Sequence, residues 1–179
     1  LSVPSVRFEV RLLSREGKNA LSASGADEVS FVMSANAGEA LGPISRIASG
    51  GELSRIMLAL KNVFAEKDGV DALIFDEIDT GVSGVAAQRV AEKLASLGRT
   101  KQVLCVTHLP QIAAMAQQQY LVEKAEHGGR TYTNIRLLDR EGRRYELARL
   151  SGGDMITDIQ LAGAEELLAR DERFRASLS

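Results

Sequence analysis

The stretch Ser49-Gly50-Gly51-Glu52 constrains this chain more than any other. Serine and glutamate in S-x-x-E spacing make a capping box, each side chain satisfying a backbone N–H of the other's turn. Behind it Leu53, Ile56, Met57, Leu60, Val63 and Phe64 recur with helical period, which predicts a helix over 50–66. Two glycines in a first turn each cost roughly 1 kcal/mol of helix propensity against alanine. What they supply is bare backbone. Their N–H groups, the serine hydroxyl and the positive end of the helix dipole form a surface that a phosphate can approach. Plain capping of a core helix accounts for Ser49 and Glu52 equally well, so the anion reading draws its weight from the acidic pair at Asp76-Glu77.

The chain has 179 residues, 45% of them hydrophobic and 26% charged, enough for one sizeable core or one lobe of a larger unit. A net charge of −2 and the absence of tryptophan argue against a polybasic or base-stacking surface as the main contact with nucleic acid. Cys105 is the sole cysteine, so an intrachain disulfide is excluded and a cysteine-based zinc cluster is not expected. No apolar run is long enough for a membrane-spanning helix and no signal peptide is present, which makes a cytoplasmic protein the default. The chain opens on Leu1 rather than Met and reads as mid-protein, so a fragment is expected.

Val6–Leu13 and Glu28–Ala35 read as strands, separated by a turn at 14–19 and followed by a loop at 36–39. Gly17-Lys18 is not a phosphate loop, because Leu12 and Asn19 stand where that motif needs glycine and a hydroxyl. Residues 41–47 lead into the capped helix, with Pro43 keeping the approach extended. Ala72-Leu73-Ile74-Phe75 is apolar without alternation, the pattern of a strand buried on both faces. Next come a helix over Val85–Leu97, burying Ala86, Val90, Leu94 and Leu97, a strand over Gln102–Val106 and a short helix from Pro110. This β-α-β-α order predicts a parallel sheet. Gln119–Lys124 and Thr131–Leu138 predict an antiparallel hairpin around residues 126–130. Asp139–Gly142 reads as a turn, 145–150 as a helix ending at Ser151-Gly152-Gly153-Asp154, and 158–170 as a last helix before a charged tail.

Asp76 and Glu77 stand at the C-terminal end of a predicted strand, the edge where open α/β sheets bind ligands. One carboxylate of such a pair can hold hydrated Mg²⁺, usually through water, and the other can orient or deprotonate an attacking water. A solvated acid pair opening a loop is the plainer alternative. His108 ends the next strand, where a neutral imidazole could donate to a phosphate oxygen or simply bond neighbouring backbone. Asp79 could meet a partner surface or cap its turn. His127 receives no role, and Cys105 reads as a small core residue.

Taken together and in this order, Ser49–Glu52 opening a helix, Leu73–Glu77, and Thr107-His108 closing a strand resemble the C-terminal lobe of an ABC-type ATPase head of the P-loop NTPase superfamily. Residues 43–55, 74–81 and 106–112, with Glu146-Leu-Ala-Arg-Leu150, are similar to the RecN family, bacterial double-strand-break repair ATPases related to SMC proteins. Transporter subunits usually carry L-S-G-G-Q, and Ala48 and Glu52 depart from that pattern and favour the SMC-like branch.

That resemblance implies an α/β fold, with a largely parallel sheet flanked by helices and an antiparallel hairpin. The whole chain, 1–179, would be one lobe of a split head whose N-terminal Walker A lobe and coiled coil are not in this sequence. It implies ATP and Mg²⁺ as cofactors. The N-terminal lobe, a second head and DNA are the implied partners, with no membrane, and a nucleoid-associated cytoplasmic location. It assigns Asp76 to magnesium, Glu77 to water activation, His108 to sensing the γ-phosphate and Asp79 to the D-loop at the dimer interface. Ser49, Gly50, Gly51 and Glu52 would bind nucleotide in trans, on the partner head. The chain alone, without a Walker A lysine, is expected not to hydrolyse ATP. Two alternatives remain: a transporter-type ATPase subunit, which needs a membrane partner, and a structural DNA-tethering module in which nucleotide serves assembly only.

Overall fold

A computed structural model describes residues 6–178 apart from 16, 18–20, 24, 35–37, 45–48, 66, 68 and 154. The expected turn at Lys18-Asn19, the loop at Asn36-Ala37, the approach through 45–48 and Asp154 lie outside the described residues.

Strands β1 (Arg7–Ser14), β2 (Asp27–Ser34) and β3 (Gly42–Pro43) form an antiparallel sheet in that order. Its register pairs Phe8 with Met33 and Val10 with Phe31. The period-two alternation puts Phe8, Val10, Leu12, Val29 and Phe31 on one face, where all five are exposed. The rings of Phe8 and Phe31 stack at 5.8 Å between centroids.

Helix α1 (Gly50–Phe64) starts where the capping box puts it, and its C-cap is Ala65. Strand β4 (Ala72–Phe75), helix α2 (Gly84–Leu97), strand β5 (Gln102–Cys105) and helix α3 (Pro110–Met115) come next. Strands β4 and β5 pair in parallel, Ala72 with Gln102 through Phe75 with Cys105. The expected parallel sheet is present as this pair, while the other described strands pair antiparallel. Hairpin β6 (Tyr120–His127) and β7 (Arg130–Leu137) stands where it was expected.

Two helices depart from expectation. The residues read as a turn, Asp139–Gly142, instead open helix α4 (Arg140–Gly152): the Asp139 carboxylate accepts the Gly142 N–H at 2.7 Å and acts as N-cap. Helix α5 (Asp158–Ser177) runs through the charged tail, opened by a capping box between Thr157 and Gln160. Charge along a helix does not end it when its surface is solvated on most sides.

Leu58, Phe75, Ile78, Val90, Ala91, Leu94, Leu97, Ile112 and Met115 make one core cluster, joining α1, β4, α2 and α3. Ala113 and Ala114 of α3 join a second with Leu147, Ala148, Ala164 and Leu168 of α4 and α5. The short helix α3 thus lies between both clusters. Its C-terminal carbonyls are capped by two arginines: Arg143 donates to Ala114 O at 3.1 Å and Ala116 O at 2.8 Å, and Arg175 to Met115 O at 3.0 Å.

Burial corrects two expectations. The apolar stripe of α1 does not face this core: Leu53, Met57, Val63 and Phe64 are exposed, and Leu58, on the opposite side of the helix, is its buried apolar side chain. Strand β4 is covered on one face only. Phe75 is buried but Ile74 is 74% exposed, as are Leu104 and Val106 beside it in large part. In α2, Ala87 and Ala91 are buried in place of Ala86.

Candidate functional site

The loop leaving β4, residues 76–80, and the mouth of α1 form a single unit. Ser49 is extended at φ −67°, ψ 166°; its N–H donates to Glu52 Oε2 at 2.9 Å, and Glu52 N–H returns to Ser49 Oγ at 3.4 Å. One turn on, the Ser54 hydroxyl donates to the Asp76 carbonyl at 3.0 Å. Arg55 donates from one nitrogen to the carbonyls of Ile78 at 3.2 Å and Thr80 at 2.8 Å. Burial pushes the pKa of this guanidinium down while Glu52 pulls it up; arginine stays charged through such a shift.

The glycines have a steric reason beside any ligand. A Cβ on Gly51 would lie 2.9 Å from the Glu77 carbonyl oxygen and 2.9 Å from Thr80 Cβ. A Cβ on Gly50 would lie 2.6 Å from Glu77 Oε2. So the helix mouth reaches the loop backbone only because Gly51 lacks a side chain, while Gly50 leaves room for the Glu77 carboxylate.

Glu77 has φ +57°, left-handed for a residue that is not glycine. The turn is held from both sides: Asp76 Oδ1 accepts the Glu77 N–H at 2.9 Å, and the Thr80 N–H donates to Glu77 O at 3.1 Å. Both Asp76 and Glu77 are exposed. Strained backbone of this kind, held by its surroundings, gathers at functional sites.

Asp79 points the other way. It is 4% exposed, and its Oδ2 accepts the Thr107 hydroxyl at 2.6 Å and the His108 N–H at 2.9 Å, with His108 Nδ1 at 3.0 Å. Hydrogen bonding has drawn this carboxylate onto the end of β5. Burial pushes the Asp79 carboxyl up, but the bonds from Thr107 and His108 and the nearby imidazole outweigh it and hold it below its ordinary value. Cys105, at the end of the same strand, is pushed up to about 12 by burial and by the charges of Asp79 and Asp76.

The structure therefore brings Ser49, Gly50, Gly51, Glu52, Asp76 and Glu77 to one place, and joins Asp79 to His108 beneath it. Ser54, Arg55 and Thr107 lie inside the motifs read from the sequence but received no role there. Arg55, in the turn after the capping box, carried a signal, since a charged residue on the face opposite the apolar stripe needs a partner if that face is the buried one. Among the described residues no group of three or more His, Cys, Asp and Glu is arranged to hold a metal ion, and no helix is long and apolar enough to cross a membrane.

No family model matches the chain. It is 46% identical over 169 residues to DNA repair protein RecN of Halalkalibacterium halodurans, covering 94% of this chain and 30% of that protein. It is 46% identical over 178 residues to DNA repair protein RecN of Treponema pallidum, 98% and 31% of the two chains. To the RecN of Bacillus subtilis it is 41% identical over 178 residues, 95% and 31%. The chain thus spans about 30% of the length of these curated relatives. Among solved structures it matches the Smc head domain with coiled coil and joint of Pyrococcus yayanosii at a TM-score of 0.57 and 19% identity, over 83% of this chain and 26% of that one. A chain solved in work on ATP-driven dimerisation and DNA-stimulated activation of SMC ATPases matches at 0.50 and 19%, over 85% of each. At these identities the structural likeness shows the fold, that of an SMC-type ATPase head.

Proposed function

We propose, from the premise that this chain is RecN-like over nearly its whole length and folded as an SMC-type head, that it is the C-terminal lobe of a split ATPase head acting in DNA double-strand-break repair. The observation that carries this reading is the joining of the α1 mouth to the acidic loop. Gly51, Ser54 and Arg55 make Ser49–Glu52 and Asp76–Thr80 one rigid wall.

Such a wall has two working faces. Glu77 serves the nucleotide held by its own head, orienting and deprotonating the attacking water. The backbone N–H groups of Gly50 and Gly51 and the Ser49 hydroxyl serve the γ-phosphate held by a second copy. His108 stands at the end of the neighbouring strand and, with Glu77, meets the γ-phosphate held by its own head. ATP bound between two copies completes both sites, so nucleotide clamps the heads and hydrolysis releases them.

Asp76 is the residue that would hold magnesium. Mg²⁺ keeps most of its waters and takes one or two carboxylates plus phosphate oxygens, so one protein carboxylate suffices for that role. When bound, the ion supplies charge neutralisation on the phosphates.

Two uncovered apolar surfaces favour a missing lobe as partner. One is the α1 stripe of Leu53, Met57, Val63 and Phe64, and the other is the outer face of β4 and β5 with Ile74, Leu104 and Val106. Surfaces of this kind are covered in a stable protein. The Walker A lobe of the same protein is the proposed cover, and DNA is bound mainly outside this chain, in the cytoplasm and at the nucleoid. Alone, the 179-residue chain binds nucleotide weakly and does not turn it over.

The test is Glu77→Gln in the complete protein. Head dimers should form with ATP and persist, while turnover falls by about 10²-fold or more. Wild-type turnover in that variant removes Glu77 from its role.

A further inference from the structure

The contact between Asp79 and His108 has a chemical consequence that neither water activation nor phosphate sensing uses. Asp79 Oδ2 receives the Thr107 hydroxyl at 2.6 Å and the His108 N–H at 2.9 Å, and the His108 ring nitrogen Nδ1 stands 3.0 Å from it as an ion-pair contact. An ionised carboxylate oxygen 3.0 Å away repels a ring lone pair and attracts a proton, so Nδ1 is the nitrogen that carries the hydrogen. The two nitrogens of a histidine are distinct, and the bond made by one decides the state of the other. The His108 side chain is 72% exposed while Asp79 is 4% exposed. With Nδ1 engaged, Nε2 is the nitrogen that a ligand meets.

We propose that Asp79 is a positioning residue that fixes His108 with its proton on Nδ1 and presents Nε2 as the working nitrogen. In the neutral ring Nε2 is then a lone pair. It accepts a hydrogen bond from water or from an N–H group, and it cannot donate to a phosphate oxygen. Donation to phosphate requires the imidazolium, whose charge the buried carboxylate balances. The simple picture of a neutral histidine donating to the γ-phosphate is therefore replaced.

The same carboxylate fixes the backbone. It holds the His108 N–H, and the Thr107 hydroxyl that donates to it accepts the Leu109 N–H at 3.1 Å. Ring, strand end and the first turn of α3 are thus tied to a loop residue two positions after Glu77. A displacement of the 76–80 loop, such as docking of a second head would apply through α1, moves His108 with it. The consequence for turnover rests on the ATPase reading; the state of the ring does not.

The experiment is ¹⁵N–¹H correlation of histidine-labelled complete protein, with His108→Gln assigning the His108 signals, alongside ATP turnover. Wild type above the imidazole titration should show Nδ1 protonated and Nε2 unprotonated. Asp79→Asn should shift the proton toward Nε2 and lower turnover by at least about tenfold, as a misplaced tautomer does. In the Asp79→Asn, His108→Gln double variant the loss should match His108→Gln alone, the non-additivity of residues acting as a unit. Thr107→Val, which removes a different donor from the same oxygen, should lower stability and leave the tautomer unchanged. A wild-type ring protonated on Nε2, or a tautomer unmoved by Asp79→Asn, overturns the proposal. A correct tautomer with turnover indifferent to both Asp79 and His108 leaves the positioning intact and instead defeats the assignment of His108 to catalysis.

Discussion

Gly51 lies against Thr80 so closely that a Cβ on the glycine would stand 2.9 Å from the threonine Cβ and 3.0 Å from its carbonyl oxygen. These are a helix mouth and a loop from different parts of the chain, and the contact makes them one surface. Gly51→Ala should therefore destabilise the protein by about 1–3 kcal/mol, the cost of overpacking against backbone that cannot yield. Gly50→Ala meets only the flexible end of Glu77, at 2.6 Å from Oε2. It should leave the melting temperature nearly unchanged and displace the carboxylate, so its effect falls on turnover. Thermal melts of both variants beside ATPase rates separate the two.

Arg55 supplies the polar half of the same junction. Arg55→Met keeps much of the side-chain volume and removes the bonds to Ile78 and Thr80, whose charged donor makes them worth about 1.5–3 kcal/mol each at most. Stability should fall, and proteolysis should begin in the 76–82 loop. Equal urea midpoints for variant and wild type would show that the strap contributes nothing.

The expected helix mouth, the acidic pair and the strand-end histidine were legible because each rests on local chemistry: a capping box, an acid pair after an apolar run, a Thr-His closing another. Their grouping was not. That Gly50 and Gly51 face Glu77 and Thr80 is a long-range packing fact that no spacing states. The α1 stripe shows the opposite failure. Leu53, Met57 and Phe64 have perfect helical period, which says that a face will be covered but not by what. In this chain the core takes Leu58 instead. Asp139 misled for a local reason, since an aspartate followed by a charged stretch and Gly142 suits a turn or an N-cap equally, and only the helix behind it decides.

Cys105 should be unreactive. Its thiol is pushed up to about 12 by burial and two nearby carboxylates, so almost none is thiolate at about pH 8. Iodoacetamide should label the folded protein far more slowly than the urea-unfolded one. Asp79→Asn removes one of those charges, and the labelling rate should rise. Rapid alkylation of the native wild type would contradict the shielding of this thiol.

Two buried aspartates give opposite pH dependences. Asp79 is held below its ordinary value, so its contribution is present above the unfolded value of about 3.9 and is lost as pH falls through the folded one. Asp171, fully buried, is pushed up by burial against the pull of Arg170. The folded state then binds the extra proton, and stability falls as pH rises from about 3.9 through the raised value. Asp171→Asn should thus gain on wild type between acid and neutral pH, and Asp79→Asn should lose. Urea midpoints across that range check both signs.

The most direct measurement is the structure of the complete protein with a non-hydrolysable ATP analogue and Mg²⁺. A γ-phosphate within hydrogen-bond reach of Ser49 Oγ and the Gly50 and Gly51 N–H groups of one copy, with Glu77 of the other copy facing the attacking position, is the predicted result. Nucleotide bound with the α1 mouth packed on protein and touching no phosphate would contradict it, and would leave the two glycines as residues of packing alone.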